Sequence, residues 1–256
     1  MNYRFFNICY IILILVWIWA DRYSLIGTSS YGWLLFVYVS VLFCGSYFIQ
    51  MGFFMNSICS VRSNIKQISL SFDDGPAGEK TSRILDILKE NNSQAAFFCI
   101  GNKMPDNQPL LKRMTEEGHI IGNHSNSHHP FFPLFSSKKM LNELELTSQT
   151  CQDITGFYPR FFRPPYGVTN PNLKKAVLRG GFVSIGWSIR SYDTVIGNED
   201  KLLTRILNRL KPGAILLLHD TSESTLKILP RLLKEIRNKG YTTIRLDKMI
   251  NISPYV

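Results

Sequence analysis

Apolar and polar positions alternate in two different regimes along this chain. Residues 5–20, FFNICYIILILVWIWA, carry no charge, and after Asp21-Arg22 none recurs before Arg62. That first stretch is slightly shorter than the roughly 20 residues a bilayer span requires. Residues 31–55 form the apolar heart of a second. Together they predict a transmembrane helical hairpin within a membrane anchor of residues 1–61, with spans at about 5–20 and 31–55 and a short loop near 21–30. The alternative for the first stretch is a cleaved signal peptide. No clean small-x-small cleavage site follows it, and the second stretch would still hold the chain at the bilayer.

Beyond Lys66 short apolar runs alternate with amphipathic stretches. Residues 67–72, 95–100, 119–123, 160–163, 182–187, 214–219 and 242–246 read as strands. Helical spacing links Ile84, Ile87 and Leu88, then Leu202, Leu203, Ile206, Leu207 and Leu210, then Leu226, Leu229, Leu233 and Ile236. Pro230 is expected near the start of that last helix or at a kink in it, and Gly240 at its end. Seven strands with intervening helices predict an α/β fold with a parallel sheet. Right-handed crossovers close or nearly close such a sheet into a barrel.

Charge sharpens this division. The chain has 29 Lys plus Arg against 19 Asp plus Glu, a formal net charge of +10. Residues 1–61 hold only Arg4, Asp21 and Arg22, so 10 − 1 leaves +9 on the remainder. A disordered polyelectrolyte is excluded by the apolar content, and a many-span transporter by having only two long apolar stretches. Arg4, Arg62 and Lys66 flank the hairpin ends while Arg22 sits in its loop, a thin positive-inside bias that would put the soluble domain in the cytoplasm. The five cysteines, Cys9, Cys44, Cys59, Cys99 and Cys151, are widely spaced without a CxxC pair, and read as small apolar side chains.

In an α/β barrel, chemistry collects where strands end, and the polar residues fall there. The first strand ends Ser71-Phe72-Asp73-Asp74-Gly75-Pro76. Adjacent carboxylates are costly to place together without a cation, although an Asp-rich turn before Gly-Pro is the plain alternative. After the third strand comes His124-Ser125-Asn126-Ser127-His128-His129, with His124 and His128 spaced to meet on one face of a helical turn and bind one metal. Ser125 stands where a zincin metalloprotease needs Glu, which excludes that class. The fourth strand ends Arg163-Pro164-Pro165-Tyr166-Gly167, the fifth runs through Trp187 towards Asp193, and the sixth ends Leu217-Leu218-His219-Asp220.

The set SFDDGP, HSNSH, RPPYG, Trp187 to Asp193 and LLLHD, in this order, resembles the NodB-homology polysaccharide deacetylases (carbohydrate esterase family 4) over about residues 67–247. The resemblance implies a distorted (β/α)7-type barrel as the catalytic domain, residues 67–250, after the hairpin. It implies a divalent metal, zinc foremost among first-row candidates, on Asp74, His124 and His128. Two imidazoles and one carboxylate suit a zinc ion that keeps open positions for chemistry. By the same resemblance Asp73 is the general base, Arg163 its orienting partner and the Tyr166 N–H an oxyanion donor. His219 is the general acid with Asp193 orienting it, and Leu217 and Pro165 line the acetyl pocket. Where many members carry Asp-Trp, this chain has Asp193-Thr194, which leaves one pocket wall open. Trp187 is a candidate for that wall, with core packing as its plainer role. His129 is read as a non-ligand and His119 as structural.

The activity implied is N-deacetylation of N-acetylhexosamine units in a cell-envelope glycan such as peptidoglycan. Deacetylation or deformylation of a polyprenyl-linked sugar is the alternative. An inactive carbohydrate-binding relative is expected to have lost Asp73 or a ligand, and this chain retains them all. No nucleic-acid motif accompanies the basic charge, which better suits anionic lipid or glycan. The expected partners are the glycan and the lipid bilayer, with no obligate protein partner implied. The expected location is a bacterial-type cytoplasmic membrane with the domain on its outer face, against the thin charge bias.

Overall fold

The two long apolar stretches become helices Tyr3–Arg22 (α1) and Ser30–Tyr47 (α2) in a computed structural model that describes residues 3–23, 27 and 29–256. At 1.5 Å per residue they reach about 30 and 27 Å, and both are long and apolar enough to cross a membrane. Their large side chains, among them Ile8, Leu15, Trp19, Trp33, Phe36 and Phe43, are exposed. The pair is held by rings: Phe6 stacks on Tyr38 at 5.6 Å, and Tyr10 lies 4.5 Å from Tyr38. Residues 24–26 and 28, within the expected loop, lie outside the described residues.

α2 stops at Tyr47, short of the expected limit at residue 55. Phe48 leaves helical geometry, residues Ile49–Met51 form a single 3-10 turn, and Gly52 is left-handed at φ +59°. The chain then folds back so that the Phe53 ring lies on α2, where a Cβ on Gly45 would stand 2.2 Å from it. Ile49 and Met55 are buried against the α/β unit instead of continuing a span. Ser46 ties the end of α2 to that unit twice: its carbonyl accepts from the Thr169 N–H (2.9 Å), and its hydroxyl donates to the Thr169 carbonyl (2.7 Å).

The α/β unit follows as Gln67–Gly75 (β1), Glu79–Glu90 (α3), Ala95–Cys99 (β2), Gln108–Glu116 (α4), Ile120–Asn123 (β3) and Ser137–Thr155 (α5). Next come Phe161–Phe162 (β4), Pro171–Arg179 (α6), Val183–Ser184 (β5), Ile189–Arg190 (β6) and Glu199–Leu207 (α7). Ala214–His219 (β7), Glu223–Asn238 (α8), Thr242–Thr243 (β8) and Leu246–Ile250 (α9) complete it. All strand pairs are parallel, in the order β5-β4-β3-β2-β1-β7-β6 with β8 beside the start of β1. The sheet curls into a part-barrel whose two end strands are unpaired with each other among the described residues. Segment 58–60 crosses that seam, bridging Ile58 to Ile185 and Ser60 to Ala214.

Seven strands were expected and eight form among the described residues. In place of the expected strand 182–187, β5 is only two residues long and β6 forms beyond it; between them the Ile185 and Gly186 carbonyls accept from the Arg163 guanidinium (3.3 and 2.9 Å). The last strand is two residues long, since Leu246 already begins α9. Pro230 sits in the middle of α8, and Gly240, at φ +76°, follows its C-terminal cap. β1, β2 and β7 are buried on both faces; β2 and β7 are continuous apolar runs, whereas β1 alternates Ile68, Leu70 and Phe72 with the buried Ser69 and Ser71. Ile68, Leu70, Phe72, Phe97, Leu216 and Leu218 meet the surrounding helices. Ala96, Phe98, Ile120, Phe161, Ile185 and Ile215 fill the interior, where Leu246 of α9 joins them.

His119, just before β3, is structural. Its Nδ1 accepts from the Ala95 N–H at 3.1 Å, and its Nε2 has no hydrogen-bond partner but lies 3.8 Å from Glu117 Oε2. Burial lowers its pKa to about 4, against a smaller upward pull from Glu117. The folded protein therefore binds fewer protons here than the unfolded chain, and this contribution to stability is lost as pH falls from about 6.5 towards 4. At about 1.4 kcal/mol per pKa unit the effect is about 3 kcal/mol. Chemical denaturation is expected to show the stability advantage of the wild type over His119→Gln shrinking by up to about that amount between pH 7 and 4. An advantage that is constant over this range refutes the assignment.

Candidate active site

Consecutive residues on a strand point to opposite faces, so Asp73 and Asp74 would diverge on a regular β1. A bulge prevents this: the β1–β2 register runs from Asp73 opposite Phe98 directly to Gly75 opposite Cys99, and Asp74 is left-handed at φ +72°. Both carboxylates thereby reach the same imidazole, with Asp73 Oδ2 3.9 Å and Asp74 Oδ1 3.4 Å from His124 Nε2. Behind the bulge the Asp220 carboxylate approaches so closely that a Cβ on Gly75 would stand 2.0 Å from its Oδ2. Asp220 accepts from the Thr81 hydroxyl (2.6 Å), and burial raises its pKa to about 7.

The two histidines meet through a loop and not through the expected helical turn. Ser125 and His128 are left-handed, and polar groups hold the loop. Glu143 of α5 accepts from the Asn126 and Ser127 N–H groups and from the Ser127 hydroxyl (3.1, 2.8 and 2.9 Å), and Asn123 Oδ1 accepts from the Ser125 N–H (2.9 Å). His128 Nε2 then lies 3.3 Å from Asp74 Oδ1. His129 points elsewhere, its Nδ1 accepting from the Phe131 N–H and its ring lying against Phe131 and Phe135.

This donor set fits a divalent cation. One atom from each of Asp74, His124 and His128 lies within 4.8 Å of the others. His124 Nδ1 is 2.8 Å from the Arg163 carbonyl. A carbonyl only accepts, so the proton sits on Nδ1 and the Nε2 lone pair faces the cluster, the arrangement of a metal-ligating imidazole. Burial, then the neighbouring His124, lowers the His128 pKa to about 4 and keeps that ring neutral. Burial works against ionisation of Asp74, but the imidazoles of His124, His128 and His219 around it hold its pKa well below the usual carboxylate range.

Asp73 and His219 flank this cluster, each held by a buried partner. The Arg163 guanidinium, entirely buried, donates through Nη1 to Asp73 Oδ1 (2.7 Å) and to the Ser71 hydroxyl (2.9 Å), and stacks 4.1 Å from the Phe98 ring. His219 donates to Asp193 twice, Nδ1–H to Oδ1 (2.8 Å) and backbone N–H to Oδ2 (2.7 Å). The Ser191 and Thr225 hydroxyls also donate to Asp193 (2.8 and 2.5 Å). Burial lowers the His219 pKa, but the hydrogen bond and charge of Asp193, helped by Asp73 and Asp74, raise it to about 9. His219 Nε2 faces the cluster, 4.0 Å from Asp74 Oδ2.

Tyr166 is left-handed at φ +62°, and its hydroxyl donates to the His128 carbonyl (3.2 Å). Pro165 is buried in the same turn, and Gly167, at φ +71°, packs on the Trp187 ring, 2.4 Å from where a Cβ would stand. Trp187 and Leu217 form one apolar cluster with Ile49. Asp73, Asp74, His124, His128, Arg163, Asp193 and His219 thus lie around one mouth, while His119 and His129 lie outside it. Glu143, Ser71, Ser191, Thr225, Asp220 and Ile49 went unrecognised, since no local pattern marks residues that act by holding others.

Known proteins share this architecture. The polysaccharide deacetylase family model matches residues 60–185. The peptidoglycan-N-acetylglucosamine deacetylase PgdA of Listeria monocytogenes is 34% identical over 184 residues, covering 72% of this chain. This chain spans only 39% of that relative's length. The peptidoglycan-N-acetylmuramic acid deacetylase PdaA of Bacillus subtilis is 33% identical, with 72% of each chain covered. The crystal structure of the Bc1960 peptidoglycan N-acetylglucosamine deacetylase superposes with a TM-score of 0.72 at 30% identity, over 77% of this chain and 93% of that one. BA3943 of Bacillus anthracis, a CE4 family pseudoenzyme, superposes with a TM-score of 0.70 at 26% identity, over 75% and 68%. With the identity, the coverage and the fold in agreement, the chain belongs to the polysaccharide deacetylase family.

Proposed function

We propose that this protein is a membrane-anchored, metal-dependent hydrolase that removes N-acetyl groups from N-acetylhexosamine units of a cell-envelope glycan, peptidoglycan foremost. The observation that carries this is the convergence at one mouth of an Asp73–Arg163 pair, an Asp74–His124–His128 donor set and a His219–Asp193 pair. Asp74, His124 and His128 would hold a divalent cation, zinc foremost, which when bound would supply Lewis-acid chemistry at the amide carbonyl and the attacking water. Asp73 takes the proton from that water. Arg163 fixes the orientation of Asp73 with a charge-assisted hydrogen bond. The Tyr166 N–H, which forms no backbone hydrogen bond among the described residues, is placed to donate to the developing oxyanion. His219, kept protonated by Asp193, gives its proton to the departing amine. The products are acetate and a free amino sugar. Leu217, Pro165 and Trp187 would bound the space for the acetyl methyl.

Membrane attachment is supported by the exposed apolar faces of α1 and α2, which the α/β unit leaves uncovered. We place that unit on the outer face of a bacterial-type cytoplasmic membrane, where a cell-envelope glycan is available. A pseudoenzyme shares the fold, so activity must be read from these side chains and not from the architecture.

Acetate release by the full-length protein, stripped with chelator and reconstituted with zinc, tests the mechanism. N-acetylglucosamine oligomers, peptidoglycan and a polyprenyl-phosphate-linked N-acetyl sugar would be compared as substrates. Asp73→Asn and His219→Ala are expected to keep stoichiometric zinc and lose about 10²–10⁴-fold in rate, the range of general acid–base catalysis. His124→Ala is expected to lose both zinc and activity. Full activity in Asp73→Asn overturns the assignment of the base. For topology, a C-terminal alkaline phosphatase fusion is expected to be active and a fluorescent-protein fusion dark. The opposite pattern excludes assembled peptidoglycan as the substrate.

A further inference from the structure

A second cleft, of about 440 Å³, opens where the chain leaves α2 and meets the α/β unit. Residues 47–51 form one wall, and Arg190 of β6, Tyr192, and Arg205 and Arg209 on the α7 side form the other. The arginine ion pairs among the described residues fall on Arg113, Arg163, Arg231 and Arg245. Arg190, Arg205 and Arg209 have no carboxylate within ion-pair distance. Two of them are nevertheless fixed: the Arg205 guanidinium lies 4.5 Å and that of Arg190 5.0 Å from the centre of the Tyr192 ring. Tyr192 is itself left-handed at φ +64°. Arg205 Nε is buried without any hydrogen-bond partner.

Desolvating a guanidinium donor without an acceptor is costly. Three cations converging on one cleft, two of them held by ring stacking that leaves their N–H edges free, call for a polyvalent anion. The planar donor fork of arginine matches phosphate oxygens. The position of the cleft specifies which phosphate. Tyr47 and Phe48 line it at the end of the apolar helix α2, and Phe43, Tyr47 and Phe48 form a run of contacting, exposed rings with centres 5.9 and 5.1 Å apart. Aromatic residues gather where a span meets the headgroup layer. Phe36, Phe43 and Tyr47 share one face of α2 by helical spacing and are exposed, which leaves a track for a hydrocarbon chain.

We propose that this cleft binds the phosphate of an anionic membrane lipid, with the lipid's hydrocarbon chain lying along α2. The proposal rests on the reading of α1 and α2 as membrane spans. The same phosphate chemistry is offered by a bilayer phospholipid and by a polyprenyl-phosphate carrier of a glycan substrate. Occupancy would be felt next door, since Trp187 lines the cleft and packs on Leu217 and Gly167, and Tyr192 precedes the Asp193 that holds His219.

Native mass spectrometry of the full-length protein in detergent, titrated with phosphatidylglycerol, a polyprenyl phosphate, phosphatidylcholine or inorganic phosphate, tests this. The wild type is expected to retain one or both anionic lipids in preference to phosphatidylcholine, and the tighter of the two identifies the source. Arg205→Gln with Arg209→Gln is expected to weaken retention about tenfold or more, the weight of a lost charge-assisted hydrogen bond. Lys174→Gln with Lys175→Gln, the same charge change on exposed residues of α6, is expected to leave retention intact. Melting temperatures separate loss of binding from loss of fold, and Arg209→Gln alone, at an exposed position, gives a milder second variant. Wild-type retention in both arginine variants overturns the site, as does equal loss in the lysine control or binding of inorganic phosphate with neither lipid. Carbonate extraction of membranes reports separately on the spans: release of the chain into the soluble fraction sinks the anchoring reading, whatever the lipid titration shows.

Discussion

The site hangs on one buried cation, Arg163. A guanidinium taken fully out of water is tolerated only when its donors are matched, and here they are spent on Asp73, Ser71, Ile185 and Gly186 while the plane rests on Phe98. Each partner is shaped by that demand. Asp73 is fixed at the mouth, and the Ile185 and Gly186 carbonyls, between β5 and β6, accept from the guanidinium instead of from a strand. The Arg163 carbonyl fixes the His124 tautomer as well. One residue therefore sets the orientation of the proposed base, the readiness of a ligand imidazole and a break in the barrel wall.

The second pair obeys the same logic with the charges reversed. Asp193 is a buried carboxylate satisfied by His219, Ser191 and Thr225. Its ordered charge raises the His219 pKa. Between the proposed base, held by a cation, and the proposed acid, held by an anion, lies the donor set of Asp74, His124 and His128. Fixed partners on both sides limit the reorganisation needed as charge moves, which is the usual source of rate in such sites.

Much of this was legible in the sequence, for a physical reason. Carboxylates, imidazoles and a guanidinium at the ends of apolar runs are expensive, so their clustering at strand ends stands out against the core pattern. What escaped notice were groups whose cost is hidden. Periodicity missed α5 because Thr147 and Ser148 interrupt its apolar stripe; Ser148 instead links Asn123 to the Pro159 carbonyl. Glu143 on that helix braces the histidine loop, a contact that only the folded chain creates. The split of the fifth strand and the bulge at Asp74 are likewise answers to tertiary partners. The early end of α2 followed from Gly45 and Gly52, whose lack of side chains lets Phe53 return against the helix.

The two hydrogen bonds between Ser46 and Thr169 bear on where such an enzyme could work. Thr169 lies just beyond the Tyr166 turn, and Gln50 adds a bond to the Trp187 carbonyl (2.9 Å). A catalytic unit on a slack tether sweeps a volume and searches the wall for substrate. One bolted at its base has a single altitude and a single heading. If α1 and α2 are embedded as proposed, the mouth stays at a set height over the headgroups, and glycan must be delivered to it. That geometry favours strands still close to the membrane where they are made over mature wall further out.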